Sequence, residues 1–185
     1  MKKFLSLMLV SLALAAITIS SGVYNFAATE KHWPITEKLI EWIRISSINA
    51  HAKDIEVPPL DSGDMIKIGA THYHAMCIGC HLAPGMEPTE LSIGLYPQAP
   101  VFSQRETISN QAEMLDLARG YFWVIKNGIK MTAMPAWGLS HDDATIWAMV
   151  AFIFKMSGMT QEQYKELTHS TQDHATDHEH HDHAH

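Results

Sequence analysis

An all-helical fold is predicted for this chain, and three observations predict it. Apolar residues recur at three- and four-residue spacing in separate stretches near positions 62–76, 110–127 and 140–158. Proline or glycine punctuates the boundaries between them. The only two cysteines, Cys77 and Cys80, fall at the end of the first stretch and are followed at once by His81.

The amino terminus has the layout of an export signal. Lys2 and Lys3 precede an uncharged, mostly apolar run from Phe4 to Phe26. About 20 residues suffice to span a bilayer, so the run is long enough for an anchor. Tyr24 and Phe26 suit the far interface, while the small residues Ser20-Ser21-Gly22 keep a cleaved signal peptide open as the other reading. In either case the two lysines stay inside and the rest is exported. The expected location is the bacterial inner membrane with the body of the protein in the periplasm, or free in the periplasm after cleavage.

From Trp33 to about Lys53, Ile35, Leu39, Trp42, Ile43 and Ile48 interleave with Lys38, Glu41 and Arg44, which reads as an amphipathic helix. It serves either as a stalk on the membrane surface or a partner, or as a helix packed on the next domain. Val57-Pro58-Pro59-Leu60 ends it, because proline lacks a donor and disfavours helix in the preceding residue. Asp61 or Ser62 then caps a helix through about Met76, with Met65, Ile68, Gly69, Tyr73 and Met76 on one stripe.

The segment from Leu82 to Ser109, with its four prolines and two glycines, is predicted to be a long loop whose apolar members Leu91, Leu95, Tyr96 and Val101 line a pocket. The next helix runs from about Asn110 to Asn127, with Met114, Leu117, Ala118, Tyr121 and Ile125 in register and Gly128 as its C-cap. Ser140 is predicted to open a third, with Asp142 and Asp143 in its first turn. It is apolar nearly all round through Ile146, Trp147, Val150, Phe152 and Phe154, and so should be well buried. The resulting organisation is a signal anchor or peptide at 1–26, a helical stalk and linker at 27–60, a domain at 61–160 and a disordered tail at 161–185.

Cys77-Ile78-Gly79-Cys80-His81 is the informative motif. Two thiols at this spacing can add across the two vinyl groups of a porphyrin, and the adjacent imidazole then sits beneath the iron, so the pattern reads as attachment of one covalent haem c. A redox dithiol or half of a zinc site are the other readings of the cysteine pair. Zinc would need further ligands at suitable spacing, and the chain has no other cysteine.

Iron takes a ligand on each face, and Met134 is the expected second one. Pro135 holds the chain extended behind it, and Gly128 and Gly138 let the loop turn. Met131 is the alternative axial ligand, while His72, His74 or His141 would each give a two-histidine iron.

With these residues in place the chain resembles the class I cytochrome c family, and is similar to the single-haem subunits and donors of bacterial respiratory chains. Gly69 and Tyr73, the Cys77–His81 motif, Met134-Pro135-Ala136-Trp137 and the aromatic closing helix with Trp147 and Phe152 carry the resemblance, over about Asp64 to Met159. It implies a small all-α fold whose first and last helices cross near Gly69. It also implies haem on Cys77 and Cys80, axial ligation by His81 and Met134, and one-electron transfer. The long loop after His81 and the two terminal extensions depart from the family pattern.

A histidine–methionine iron is closed to substrate and has a raised potential, which suits an electron carrier and not an enzyme. The expected partners are a protein donor and acceptor, with a respiratory oxidase or reductase among them. The formal charge of −7, without a basic patch, gives no reason to expect nucleic acid. A haem enzyme or sensor with a labile methionine is the rival reading. A third is a metal-handling protein acting through its tail. There His174, His178, His181 and His185 would share one helical face and could take zinc, copper or nickel.

Overall fold

The computed structural model describes residues 2–176, with side chains through residue 168. Among the described residues all regular structure is helical, as expected. The chain divides into two units between Ile40 and Glu41.

In the first unit, α1 (Lys2–Ser20) is long and apolar enough to cross a membrane, and none of its described side chains is buried. Its hydroxyls turn back on their own helix. Ser6, Ser11 and Thr18 each donate to the carbonyl four residues earlier, at 3.0, 3.0 and 2.9 Å. This is how a helix carries polar side chains where water is scarce. The connector after α1 is organised around Tyr24, whose ring lies 4.9 Å from Trp33 and 5.1 Å from Phe26, and whose hydroxyl bonds His32 Nδ1 at 2.7 Å. Helix α2 (Pro34–Ala52) begins in this unit, with proline in its first turn, where no intrahelical N–H bond is lost.

In the second unit, α2 ends against the domain. Ala52 is buried, the His51 ring lies 5.6 Å from that of Trp123, and the Arg119 guanidinium donates to the Ile55 carbonyl at 3.0 Å. The core is built on two long helices, α3 (Gly63–Met76) and α7 (Asp143–Met156), which cross at Gly69. A Cβ there would run into the Ala148 carbonyl oxygen and come within 2.8 Å of Phe152 Cβ, so the missing side chain permits the close crossing. This is the crossing that the family resemblance implies.

Around it pack Tyr73 and Phe152, edge to face at 5.4 Å, and Phe122 stacked on Trp147 at 4.2 Å. Ile146, Met149, Val150 and Met156 are almost fully buried, in line with the expected all-round apolar helix. Helix α6 (Gln111–Asn127) supplies Ala118, Phe122 and Ile125 to the same core.

The helix ends obey local chemistry. Asn110 caps α6 by accepting from Ala112 N and Glu113 N, and Gly128 closes it at φ +67°. For α7 the expected cap at Ser140 is corrected to Asp142, whose carboxylate accepts from Thr145 N at 2.8 Å. Ser140 instead ends the single 3-10 turn Trp137–Leu139. Ser62 precedes α3 without making a side-chain cap bond.

Two short helices lie in and before the expected long loop, α4 (Ile78–His81) and α5 (Glu90–Ile93), together with a 3-10 turn at Phe102–Gln104.

The segment expected as a tail at 161–185 begins with a helix. Helix α8 (Gln161–Thr176) continues the domain and packs on α3. Thr160 and Gln163 form a reciprocal capping box, with Gln163 Oε1 accepting from Thr160 N at 2.9 Å and Thr160 Oγ1 accepting from Gln163 N at 3.2 Å. Tyr164 then reaches the core at 4% exposure and bonds His74 Nδ1 at 3.0 Å. His174 lies within α8, while His178, His181 and His185 lie outside the described residues.

Candidate functional site: the Cys77–His81 turn and the Met134 loop

The attachment motif is held in a tight turn. Cys77 ends α3, and its carbonyl accepts from Cys80 N at 3.2 Å and His81 N at 2.8 Å, which places both thiols and the imidazole on consecutive helical turns. The two cysteines are not joined in a disulfide, and each is half-buried. Burial, with a smaller contribution from Cys80, pushes the Cys77 thiol up to about 12.

Backbone anchors fix the chain on the C-terminal side of His81. Leu82 takes a positive φ of 60°, a strained value for a non-glycine residue. Its carbonyl accepts from the buried Tyr73 hydroxyl at 2.8 Å. Thr89 Oγ1 donates to the Gly79 carbonyl at 2.5 Å while its side chain also caps α5. The loop expected to wrap the site is thus tied to the motif itself. Of its apolar members, Leu91 is exposed but lies beside Gly79, whereas Leu95, Tyr96 and Val101 are half-buried.

His81 Nδ1 lies 2.9 Å from the Pro100 carbonyl oxygen. A carbonyl can only accept, so Nδ1 carries the proton and Nε2 keeps its lone pair, the arrangement typical of an imidazole that binds a metal. Phe102 stacks on the ring at 4.9 Å and 19°. Burial holds the His81 pKa below its ordinary value, with Arg105 adding to the effect and the Pro100 bond opposing it; neutral imidazole, the ligating form, is favoured. Arg105 itself sits over the Phe102 and Tyr121 rings, at 5.3 and 5.4 Å, and donates to the Tyr121 hydroxyl.

The Met134 loop is folded back on the end of α6. Ile129 N donates to the Met134 carbonyl at 3.1 Å, and Thr132 Oγ1 accepts from Met134 N at 3.1 Å. A Cβ on Gly128 would come within 2.8 Å of the Met134 oxygen, so only glycine lets the loop lie this close. Met134 is half-buried and packs against the core, whereas Met131 is 92% exposed.

The alternative histidines are engaged elsewhere: His74 with Tyr164, and His72 edge to face with His141 at 5.2 Å. Trp137 packs against the core and lies 5.7 Å from the His141 ring. Among the described residues no group of three or more His, Cys, Asp or Glu is arranged to hold a separate metal ion.

The donor set fits a c-type haem: two thiols and an imidazole whose Nε2 keeps its lone pair on one turn, and a thioether on a loop packed against the same core. An all-helical domain closed by crossing helices around such a motif has the class I cytochrome c fold, which suggests haem-based electron transfer. Residues 64–153 match the family described as cytochrome c oxidase, cbb3-type, subunit III. No curated protein and no solved structure matches the chain.

Sequence reasoning missed three groups that organise this site, the Tyr73 hydroxyl, the Pro100 carbonyl and Thr89. Only Thr89 carried a local signal, as a threonine immediately before the acidic first turn of α5.

Proposed function

We propose that this protein is a membrane-tethered periplasmic monohaem cytochrome c that passes single electrons between respiratory redox partners. Cys77 and Cys80 would hold the haem through thioether bonds, and His81 and Met134 would ligate its iron. When bound, haem supplies a one-electron iron couple.

The residues do the rest. Pro100 and Phe102 set the tautomer and plane of His81. Gly128 and Thr132 hold the Met134 backbone where a thioether can be presented. With an imidazole and a thioether both committed to the iron, no site would remain there for substrate, which favours a carrier over an enzyme.

The observation that carries this reading is the His81 Nδ1 contact with Pro100, because it leaves Nε2 as the ligating atom beside the two thiols. The family match suggests partnership with, or membership in, an oxidase complex. Helix α1 supports the tether.

Ferric protein should show the absorption band of a methionine–iron bond, unchanged on adding cyanide over minutes, and should exchange electrons with a membrane oxidase preparation. A high-spin ferric spectrum with immediate cyanide binding would instead indicate an open iron and the enzyme or sensor reading. Deleting the chain after Thr168 should leave electron transfer intact, and its loss would favour a role centred on the histidine-rich tail, for which zinc, copper or nickel would be the metal.

A further inference from the structure

We propose that the apolar face of α2 formed by Ile35, Leu39, Trp42 and Ile43 lies in the headgroup layer of a lipid bilayer. This rests on the membrane tether proposed above. The four residues are spaced four, three and one apart, which places them on one side of a single continuous helix. They are 74, 52, 66 and 52% exposed, so the face is a contiguous apolar strip and not a scatter of single side chains.

The opposite side of the helix is accounted for. Ile48 comes nine residues after Leu39, about two and a half turns at 3.6 residues per turn, and so points the other way. It lies toward Gly120, and Ala52, one turn on, is buried. Glu37 and Glu41 also lie away from the apolar strip, with Glu41 3.9 Å from Arg44. Lys38 flanks the strip, where a long basic side chain can reach past the apolar layer to the headgroups.

Lipid is the occupant that chain connectivity selects. Only residues 21–33 separate α1 from α2. At 3.3–3.6 Å per residue that connector could reach at most roughly 45 Å. Its folding around Tyr24 shortens it further. A connector this short, and folded, keeps the start of α2 near the bilayer that α1 would enter. Trp33 and Trp42 are 50 and 66% exposed, and tryptophan is enriched at that depth.

The test uses full-length haem-loaded protein in phosphatidylethanolamine–phosphatidylglycerol vesicles, with single added cysteines and a membrane-impermeant maleimide. The native cysteines are consumed by haem attachment, and the substituted positions are exposed, so an unchanged visible spectrum verifies the fold. Labelling of Leu39→Cys and Ile43→Cys should be slowed at least about tenfold relative to Glu37→Cys, given the 1.5–3 kcal/mol gained by burying a side chain of this size. Leu12→Cys in α1 should be protected as well.

If Leu12→Cys is protected while positions 39 and 43 react like 37, the inference on α2 is overturned and the tether stands. If Leu12→Cys reacts freely, the tether fails and this inference with it. Protection at 39 and 43 that disappears when the protein is diluted in lipid would mean that a second copy covers the face, which also overturns it.

Discussion

Gly69 of α3 and Ala148 of α7 meet backbone to backbone, with no room for a Cβ between them. Gly69→Ala should therefore force the two helices apart, at the cost of about 1–3 kcal/mol usual for overpacking a close-packed core. Urea unfolding should show a lower midpoint with an unchanged m-value. Because the obstruction is the Ala148 carbonyl and not its methyl group, Ala148→Gly should fail to rescue the variant.

Tyr73→Phe leaves the Leu82 carbonyl buried without its donor. Removing one partner of such a bond costs about 1–3 kcal/mol. The loss should appear as a lower denaturation midpoint, and because Leu82 is the residue directly after His81, amide exchange at residues 81–82 should accelerate more than in the rest of the domain.

Gly128→Ala puts a side chain at φ +67° and against the Met134 carbonyl. The Met134 loop should be displaced while α3 and α7 remain packed. The ferric protein should then lose the methionine–iron band and bind cyanide faster than wild type, with its helical circular dichroism nearly unchanged.

Acid stability should report His72. Burial first, and then repulsion from His141, hold its pKa below the ordinary 6.5, with Asp142 opposing both. A depressed native pKa means that the fold prefers the neutral ring. The stabilisation is complete above pH 6.5 and is lost as the pH falls from there through the lower native value. His72→Gln should flatten the dependence of thermal midpoint on pH in that window and leave it unchanged above.

Local chemistry was legible in the sequence. The α6 boundaries at Asn110 and Gly128 could be read because a capping side chain and a left-handed glycine act within one turn. The attachment motif could be read because its thiols and imidazole lie within five residues. Pro100 and Tyr73 could not, since their bonds to residues 81 and 82 cross 19 and 9 positions of sequence and depend on the folded loop. Helix α8 was concealed for a different reason. The histidine- and aspartate-rich composition of the tail outweighed a short signal that was present, the Thr160–Gln163 capping box with Tyr164 and Leu167 after it. At α7 both Ser140 and Asp142 are competent caps, and the 3-10 turn at Trp137–Leu139 uses up the serine.

Covalent attachment of haem at Cys77 and Cys80 is decided by the mass of the denatured protein, produced with intact haem-ligation machinery and extracted with acidified acetone. One haem should be retained on the polypeptide, and none when Cys77 and Cys80 are both replaced by serine. A wild-type mass equal to the bare polypeptide would contradict it.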